Sequence, residues 1–183
     1  MTRLPLTVEY ALLGFLREGP MHGYEIHRRL SDPAGMGLVW RLKQSQLYAL
    51  LRRLEEEGYV GAALEPQDTR PPRKVFQLTQ LGNDAFLDWV QGPVLHGREM
   101  RLHFLAKLYF AQREGLEVAS RLIERQRTTC QSWLAALQAN GDTALDNHAY
   151  QWLVHRFRTA QIKAILAWLD ECQQMVTAAA STS

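Results

Sequence analysis

The chain has 183 residues, of which 46% are hydrophobic and 22% charged, with a formal net charge of +2. That composition excludes a disordered or collagen-like chain, and no apolar run is long enough to span a bilayer. A net charge this small does not argue for nucleic acid, so any such argument rests on where the charges sit. At about 100–200 residues per domain, one domain or two small ones are expected. The opening Met1-Thr2-Arg3-Leu4-Pro5 lacks the apolar core of a signal peptide. Cys130 and Cys172 stand far apart, with no CxxC pair. Reduced thiols in a cytoplasmic protein are therefore expected, without a disulfide framework or a zinc site.

Nine of the twelve glycines precede residue 95, and the last proline is Pro93. Beyond that point the pattern is one of long helices. Gln91-Gly92-Pro93 marks the boundary, because Gly and Pro both resist helix continuation. Two domains are expected, 1–91 and 92–183.

Thr7 caps a first helix reaching about Glu18, with Val8, Ala11, Leu12 and Phe15 on one face. Gly19-Pro20 ends it. A short second helix covers about Gly23 to Leu30, and Ser31 to Gly37 reads as a loop. Ser45 then caps a third helix running to about Glu57. Its stripe is Leu47, Leu50, Leu51 and Leu54, and Gly58 stands at the C′ position. Two short strands follow, Tyr59 to Leu64 and Lys74 to Leu78, the first weak because its residues are small. Between them Glu65-Pro66-Gln67-Asp68-Thr69-Arg70-Pro71-Pro72 is turn chemistry. Thr79 caps a fourth helix carrying Leu81, Ala85, Phe86, Trp89 and Val90. Three helices, a two-stranded ribbon and a helix form the order of a winged helix-turn-helix, whose third helix enters the major groove.

The charges agree locally. From Arg28 to Arg53 the cations are Arg28, Arg29, Arg41, Lys43, Arg52 and Arg53, against the single acid Asp32. The ribbon adds Arg70, Arg73 and Lys74. On the third helix Gln46, Ala49 and Arg53 share one row and Ser45, Tyr48 and Arg52 another, both off the leucine stripe. An amide, a hydroxyl, a phenol and two guanidiniums suit phosphates and base edges. By itself a basic helical stretch is more often a solvated face. A basic hairpin next in the chain makes DNA binding the better reading.

These residues resemble the PadR family of bacterial transcriptional regulators. The resemblance runs through Ala11-Leu12-Leu13-Gly14-Phe15-Leu16, Gly19-Pro20-Met21-His22-Gly23-Tyr24-Glu25-Ile26, the stretch Leu47 to Val60, and Arg73 to Gly82. It departs at Ser45-Gln46, where members commonly carry Gly-Thr, and at the Pro-rich Arg70-Pro71-Pro72-Arg73, where they often have Gly. The longer amide of Gln46 reaches as far as an adenine edge. The resemblance implies that Tyr48, Arg73 and Lys74 contact phosphates while Ser45, Gln46 and Ala49 face the groove. Lys43, Arg52, Arg53 and Arg70 complete the expected DNA-binding set. Tyr24 reads as packing rather than as contact.

The second half offers three helices, at about 97–111, 114–139 and from 143 or 146 to 176. The last carries two seams. One holds Ile162, Ile165, Leu169, Cys172 and Val176; the other holds Leu153, Phe157, Ala160, Ala164 and Ala167. One seam packs within the chain and a second calls for another helix, which a homodimer supplies. The first seam and Leu105 are the expected dimer contacts. The stretch Arg98 to Phe110 resembles, more weakly, the helical C-terminal domain of the longer, virulence-activator-like PadR subfamily. That likeness implies a dimer reading a two-fold operator.

Some relatives of this kind sense small aromatic compounds near the dimer interface. Trp89, Phe104 and Tyr109 are the ligand candidates on that ground, although packing explains each more cheaply. His96, Glu99 and His103 are spaced too widely for a persuasive metal site, and no cofactor is called for. No GxSxG, phosphate-binding loop, HExxH or dinucleotide fingerprint is present, so an enzyme is not expected. The expected fold is mainly α with a small β-hairpin wing: a winged helix-turn-helix plus a helical dimerisation domain. The expected function is that of a homodimeric repressor binding double-stranded DNA, released by a small effector. The rival is a protein–protein adaptor whose winged helix does not bind DNA.

Overall fold

The computed structural model describes residues 7–66, 72–141 and 149–180. Arg70 of the expected DNA-binding set lies outside them. The chain divides into two compact units. One comprises residues up to 91 together with 101–110; the other comprises 92–100 and the residues from 111 onward.

In the first unit, α1 (Thr7–Leu16) buries every residue from Ala11 to Leu16. It stops two residues before the expected end, and Gly19 follows at φ 140°, a backbone that L side chains rarely adopt. β1 (Met21–His22) leads directly into α2 (Gly23–Leu30), which buries Ile26 and Leu30. The following loop is tied by Asp32, whose carbonyl accepts from Gly35 N–H at 3.0 Å and Gly37 N–H at 2.9 Å. A 3-10 turn, Met36–Leu38, buries Met36 beneath it.

α3 (Gln44–Glu56) buries Leu47, Leu51 and Leu54, three of the four leucines of the predicted stripe, and leaves Leu50 half-buried at its edge. Its N-cap is Lys43 rather than Ser45. The Gln46 side-chain oxygen accepts from Lys43 N–H at 3.1 Å, the return half of a capping box. At the other end Gly58 (φ 82°) takes the C′ position. Tyr59 N–H donates to Leu54 O at 2.9 Å and Gly58 N–H to Glu55 O at 3.1 Å, the Schellman pattern.

β2 (Val60–Glu65) and β3 (Arg73–Leu78) pair antiparallel, from Val60 opposite Leu78 to Glu65 opposite Arg73. β1 adds to the far side of β3, with Met21 opposite Phe76, giving the sheet order β1-β3-β2. A two-residue strand leaves no periodicity to read, so the sequence predicts only the hairpin. Thr79 caps α4 (Gln80–Gln91) as expected, its hydroxyl oxygen accepting from Gly82 N–H at 3.1 Å.

The segment Arg101–Phe110 belongs to this unit by its packing, although the sequence divides at residue 91. A π-helical turn, Met100–Phe104, runs into α5 (Leu105–Glu114). Phe104 is fully buried. Phe110 makes edge contacts with Phe15 at 5.2 Å and Phe86 at 5.7 Å between centroids. These aromatic rings fill the core under α1 and α4.

The second unit is built on α6 (Leu116–Gly141) and α7 (Ala149–Ala180). Leu137 pairs with His155, Arg127 with Asp170 and Ser120 with Gln173. Those positions run in opposite order, so the two helices are antiparallel. Ala119, Leu122, Ile123 and Cys130 of α6 and Ile162, Leu169 and Val176 of α7 are buried. The segment before α5 is fastened to α6 by the buried Gln126. Its oxygen accepts from Val94 N–H at 2.8 Å and its nitrogen donates to Val94 O at 3.3 Å.

Candidate nucleic-acid interface

α3 presents Ser45, Gln46, Tyr48, Ala49 and Arg52 to solvent, with Lys43 exposed just before them. The leucine stripe holds the opposite side in the core, so this row is fixed in direction by burial alone. Gln46 is partly occupied as the cap of its own helix, which ties its side-chain oxygen to the first turn. Tyr48 rests on the start of α2: a Cβ at Gly23 would lie 2.5 Å from its ring. The two helices of the motif therefore meet where one residue is a glycine and the other a phenol.

Arg53 shares the sequence row with Gln46 and Ala49 but is turned differently. Its Nε and Nη2 both donate to Oε1 of Glu9 on α1, and Glu9 is fully buried. Arg52 is exposed and stands 3.8 Å from Glu56, a distance at which a surface pair is weak. Arg29 pairs with Glu18, and Glu25 lies 3.9 Å from both Arg28 and Arg29. Among the described residues, Arg41 and Lys43 have no ion-pair partner. The positive field of the sequence is thus thinned near α2 and retained before α3.

The wing joins this surface through a small polar cluster. The Arg73 guanidinium lies 5.8 Å from the Tyr24 ring, within cation–π range. His22 stacks on Tyr24 with 5.7 Å between centroids. The His22 ring nitrogens lie 3.3 Å from Lys74 O and 3.5 Å from Glu65. Lys74 pairs with Glu55 at the far end of α3. Tyr24 is half exposed and fastens the wing to α2, where the sequence suggests only packing. Glu9 and Glu65 are the residues that the motif reading missed. Glu9 did leave a signal, being an acid three, four and seven residues before Leu12, Leu13 and Leu16.

The aromatic candidates for ligand contact are engaged in the first unit. Trp89 stacks on Tyr10 at 5.1 Å, and the Lys107 ammonium lies 4.7 Å from its ring. Burial pushes the Tyr10 hydroxyl above its ordinary range. Tyr109 meets Phe110 edge-on at 5.0 Å. In the second unit Ile162, Leu169 and Val176 are buried within the protomer, and Ile165 and Cys172 are half-buried. Leu105, on α5, is also half-buried. On α7 the large exposed apolar residues are Tyr150, Trp152, Leu153, Phe157 and Met175. Among the described residues no cluster of three His, Cys, Asp or Glu side chains could hold a metal. Glu99 instead accepts from His96 N–H at 3.0 Å and Leu95 N–H at 3.1 Å. No described helix is long and apolar enough to cross a membrane.

A buried leucine stripe under an exposed polar helix face, with a cationic hairpin beside it, defines a winged helix-turn-helix of the DNA-binding class. The profile of the transcriptional regulator PadR-like family matches residues 12–88, and that of the virulence activator alpha C-terminal domain matches residues 100–177. The negative transcriptional regulator PadR of Bacillus subtilis (strain 168) is 30% identical over 133 residues, covering 73% of this chain and 72% of that one. The crystal structure of Bacillus subtilis PadR in complex with operator DNA is similar at 25% identity and a TM-score of 0.47, over 91% of this chain and 97% of that one. The virulence activator AphA of Vibrio cholerae is similar at 23% identity and a TM-score of 0.41, over 93% and 98%. The chain belongs to the PadR-like family of transcriptional regulators. It is a DNA-binding regulator, and the family is not one of enzymes.

Proposed function

We propose that the protein is a homodimeric repressor that reads a two-fold operator. Ser45, Gln46 and Ala49 of α3 would face base edges in the major groove. Tyr48, Lys43, Arg52, Arg70, Arg73 and Lys74 would lie on the phosphates. The observation that carries this reading is the exposed row on α3 set beside a cationic wing. Repression follows the negative regulator of Bacillus subtilis that the chain resembles. Two protomers would meet along the exposed apolar residues of α7, Leu153 and Phe157 among them. The other seam, from Ile162 to Val176, has its largest members spent inside the protomer.

A small aromatic effector completes the reading. A cleft of about 390 Å³ in the second unit is lined by His96, Arg98, Trp133, Phe157 and Arg158 among others. Neither arginine has an ion-pair partner among the described residues, so the cleft suits a planar acid.

Selection from randomised duplexes at physiological salt, beside a solution size measurement, tests the function. A palindromic enriched site and a dimer are expected. A dimer with no enriched sequence would overturn DNA reading in favour of the adaptor. Within the enriched site, Gln46→Ala should relax the preference at particular bases, and Arg73→Ala should lower affinity for all sequences alike.

A further inference from the structure

Of the six cations between Arg28 and Arg53, one is bound to a buried carboxylate. Both Nε and Nη2 of Arg53 converge on Oε1 of Glu9. The Glu9 side chain is fully buried and that of Arg53 is about one-third exposed, at 35%. Glu9 lies in the first turn of α1, where an acid is also favoured by the helix dipole. Arg53 lies in the last turn of α3. The pair therefore links two helices 44 residues apart in sequence, at the opposite end of α3 from the Gln46 cap.

A helix held only by a leucine stripe can roll and slide by small amounts, since apolar contacts are not directional. A charge-assisted pair between a guanidinium and a carboxylate is directional and short-ranged. A buried charge that loses its partner is costly, so the geometry is strongly enforced. A roll of a few degrees about the α3 axis would move Ser45, Gln46 and Ala49 relative to base edges. Base readout depends on hydrogen-bond geometry and tolerates little of that. Phosphate contacts from long, exposed side chains tolerate more.

We infer that Arg53 is a positioning residue for sequence recognition, and that Glu9 is its obligate partner. It sets the roll of α3 and is not one of the phosphate contacts, although its place in the sequence row beside Gln46 and Ala49 suggests otherwise. This inference rests on the reading of α3 as the recognition helix. If selection enriches no sequence, that reading fails and the inference falls with it; if a site is enriched, the affinity ratio tests Arg53 by itself.

The test uses the full-length protein, its selected duplex and a scrambled duplex of equal length. Affinities are measured at several salt concentrations and corrected for active fraction. For Arg53→Gln the ratio of selected-site to scrambled-site affinity should fall at least tenfold, with the slope of log affinity against log salt unchanged. Glu9→Gln should do the same, because a fully buried side chain on α1 cannot itself touch DNA. Arg53→Lys, which keeps the charge and one donor direction, should recover part of the ratio. A slope reduced by about 0.9 in Arg53→Gln would make it a phosphate contact and overturn the inference. A lower melting temperature with an unchanged affinity ratio in the folded fraction would make the pair purely structural and overturn it equally. Should Glu9→Gln not fold, the double variant Glu9→Leu with Arg53→Met removes both charges of the pair at once, so that neither is left without the other. It should fold, keep the scrambled-site affinity and still lose the ratio.

Discussion

Replacing Gly23 by Ala tests the junction of α2 and α3 directly. The added Cβ would stand 2.5 Å from Cε1, 2.8 Å from Cζ and 2.9 Å from the hydroxyl of Tyr48. Carbon atoms rest at about 3.5–4.0 Å, so the ring must withdraw by about 1 Å. Tyr48 is 42% exposed, which leaves it room to swing outward. The stability cost should thus fall in the lower part of the ~1–3 kcal/mol range for overpacking. In a chain of this size each kcal/mol shifts the melting temperature by about 2–4 °C, so a loss of a few degrees is expected. The effect on binding should be larger in proportion, because the proposed function places the displaced phenol on a phosphate. A hydrogen bond to a charged group is worth about 1.5–3 kcal/mol, so operator affinity should fall about tenfold or more. The assay is a double-mutant cycle of melting temperature with Tyr48→Ala. Once the ring is gone the clash is gone, and Gly23→Ala should become neutral or slightly stabilising through helix propensity. An equal melting penalty in both backgrounds would refute the argument, since the strain would then not lie between Gly23 and Tyr48.

Other outcomes follow from the same geometry. Gly82→Ala places a Cβ 2.1 Å from the Tyr59 carbonyl oxygen. Backbone cannot swing aside as Tyr48 can, so thermal unfolding should show a loss of about 3 kcal/mol or more; a near-wild-type melt would mean that α4 shifts freely. Gln126→Leu strands both polar groups of the buried Val94 backbone. At about 1–3 kcal/mol for an unsatisfied group, the urea midpoint should drop with an unchanged slope. An unchanged midpoint would show that the clamp carries no stability. Burial pushes the Cys130 thiol above its ordinary range, as it does Cys172. The reactive thiolate exists only as pH rises towards that raised value, so Cys130 should resist iodoacetamide at neutral pH until denaturant is added. Rapid native labelling at Cys130, read by mass spectrometry, would contradict its burial.

Features under local control were legible in the chain alone. The leucine spacing placed α3 and its polar row, Gly58 closed the helix at C′, Thr79 opened α4, and the alternation from Lys74 to Leu78 marked the strand opposite β2. Each follows from the fixed periods of helix and strand and from the few residues that fit a cap. The candidate site was legible to the same extent, because the exposed row is the complement of the buried stripe. The tertiary structure decided which partners distant residues take. Met21 and His22 became a strand only because β3 offered an edge. Gly23 reads as a permissive residue until Tyr48 is found against it. Arg53 reads as a cation for DNA until Glu9 is found beneath it, and Ser45 as a cap until Gln46 closes on Lys43. Residues 101–110 joined the first unit because Phe104 and Phe110 complete its aromatic core. On α7 two apolar seams of similar strength stand in the sequence, and the position of α6 buried the large side chains of one while leaving Leu153 and Phe157 of the other exposed. Periodicity says that a face is apolar; only the three-dimensional placement of another element says whether it is covered, because hydrophobic attraction has no direction of its own.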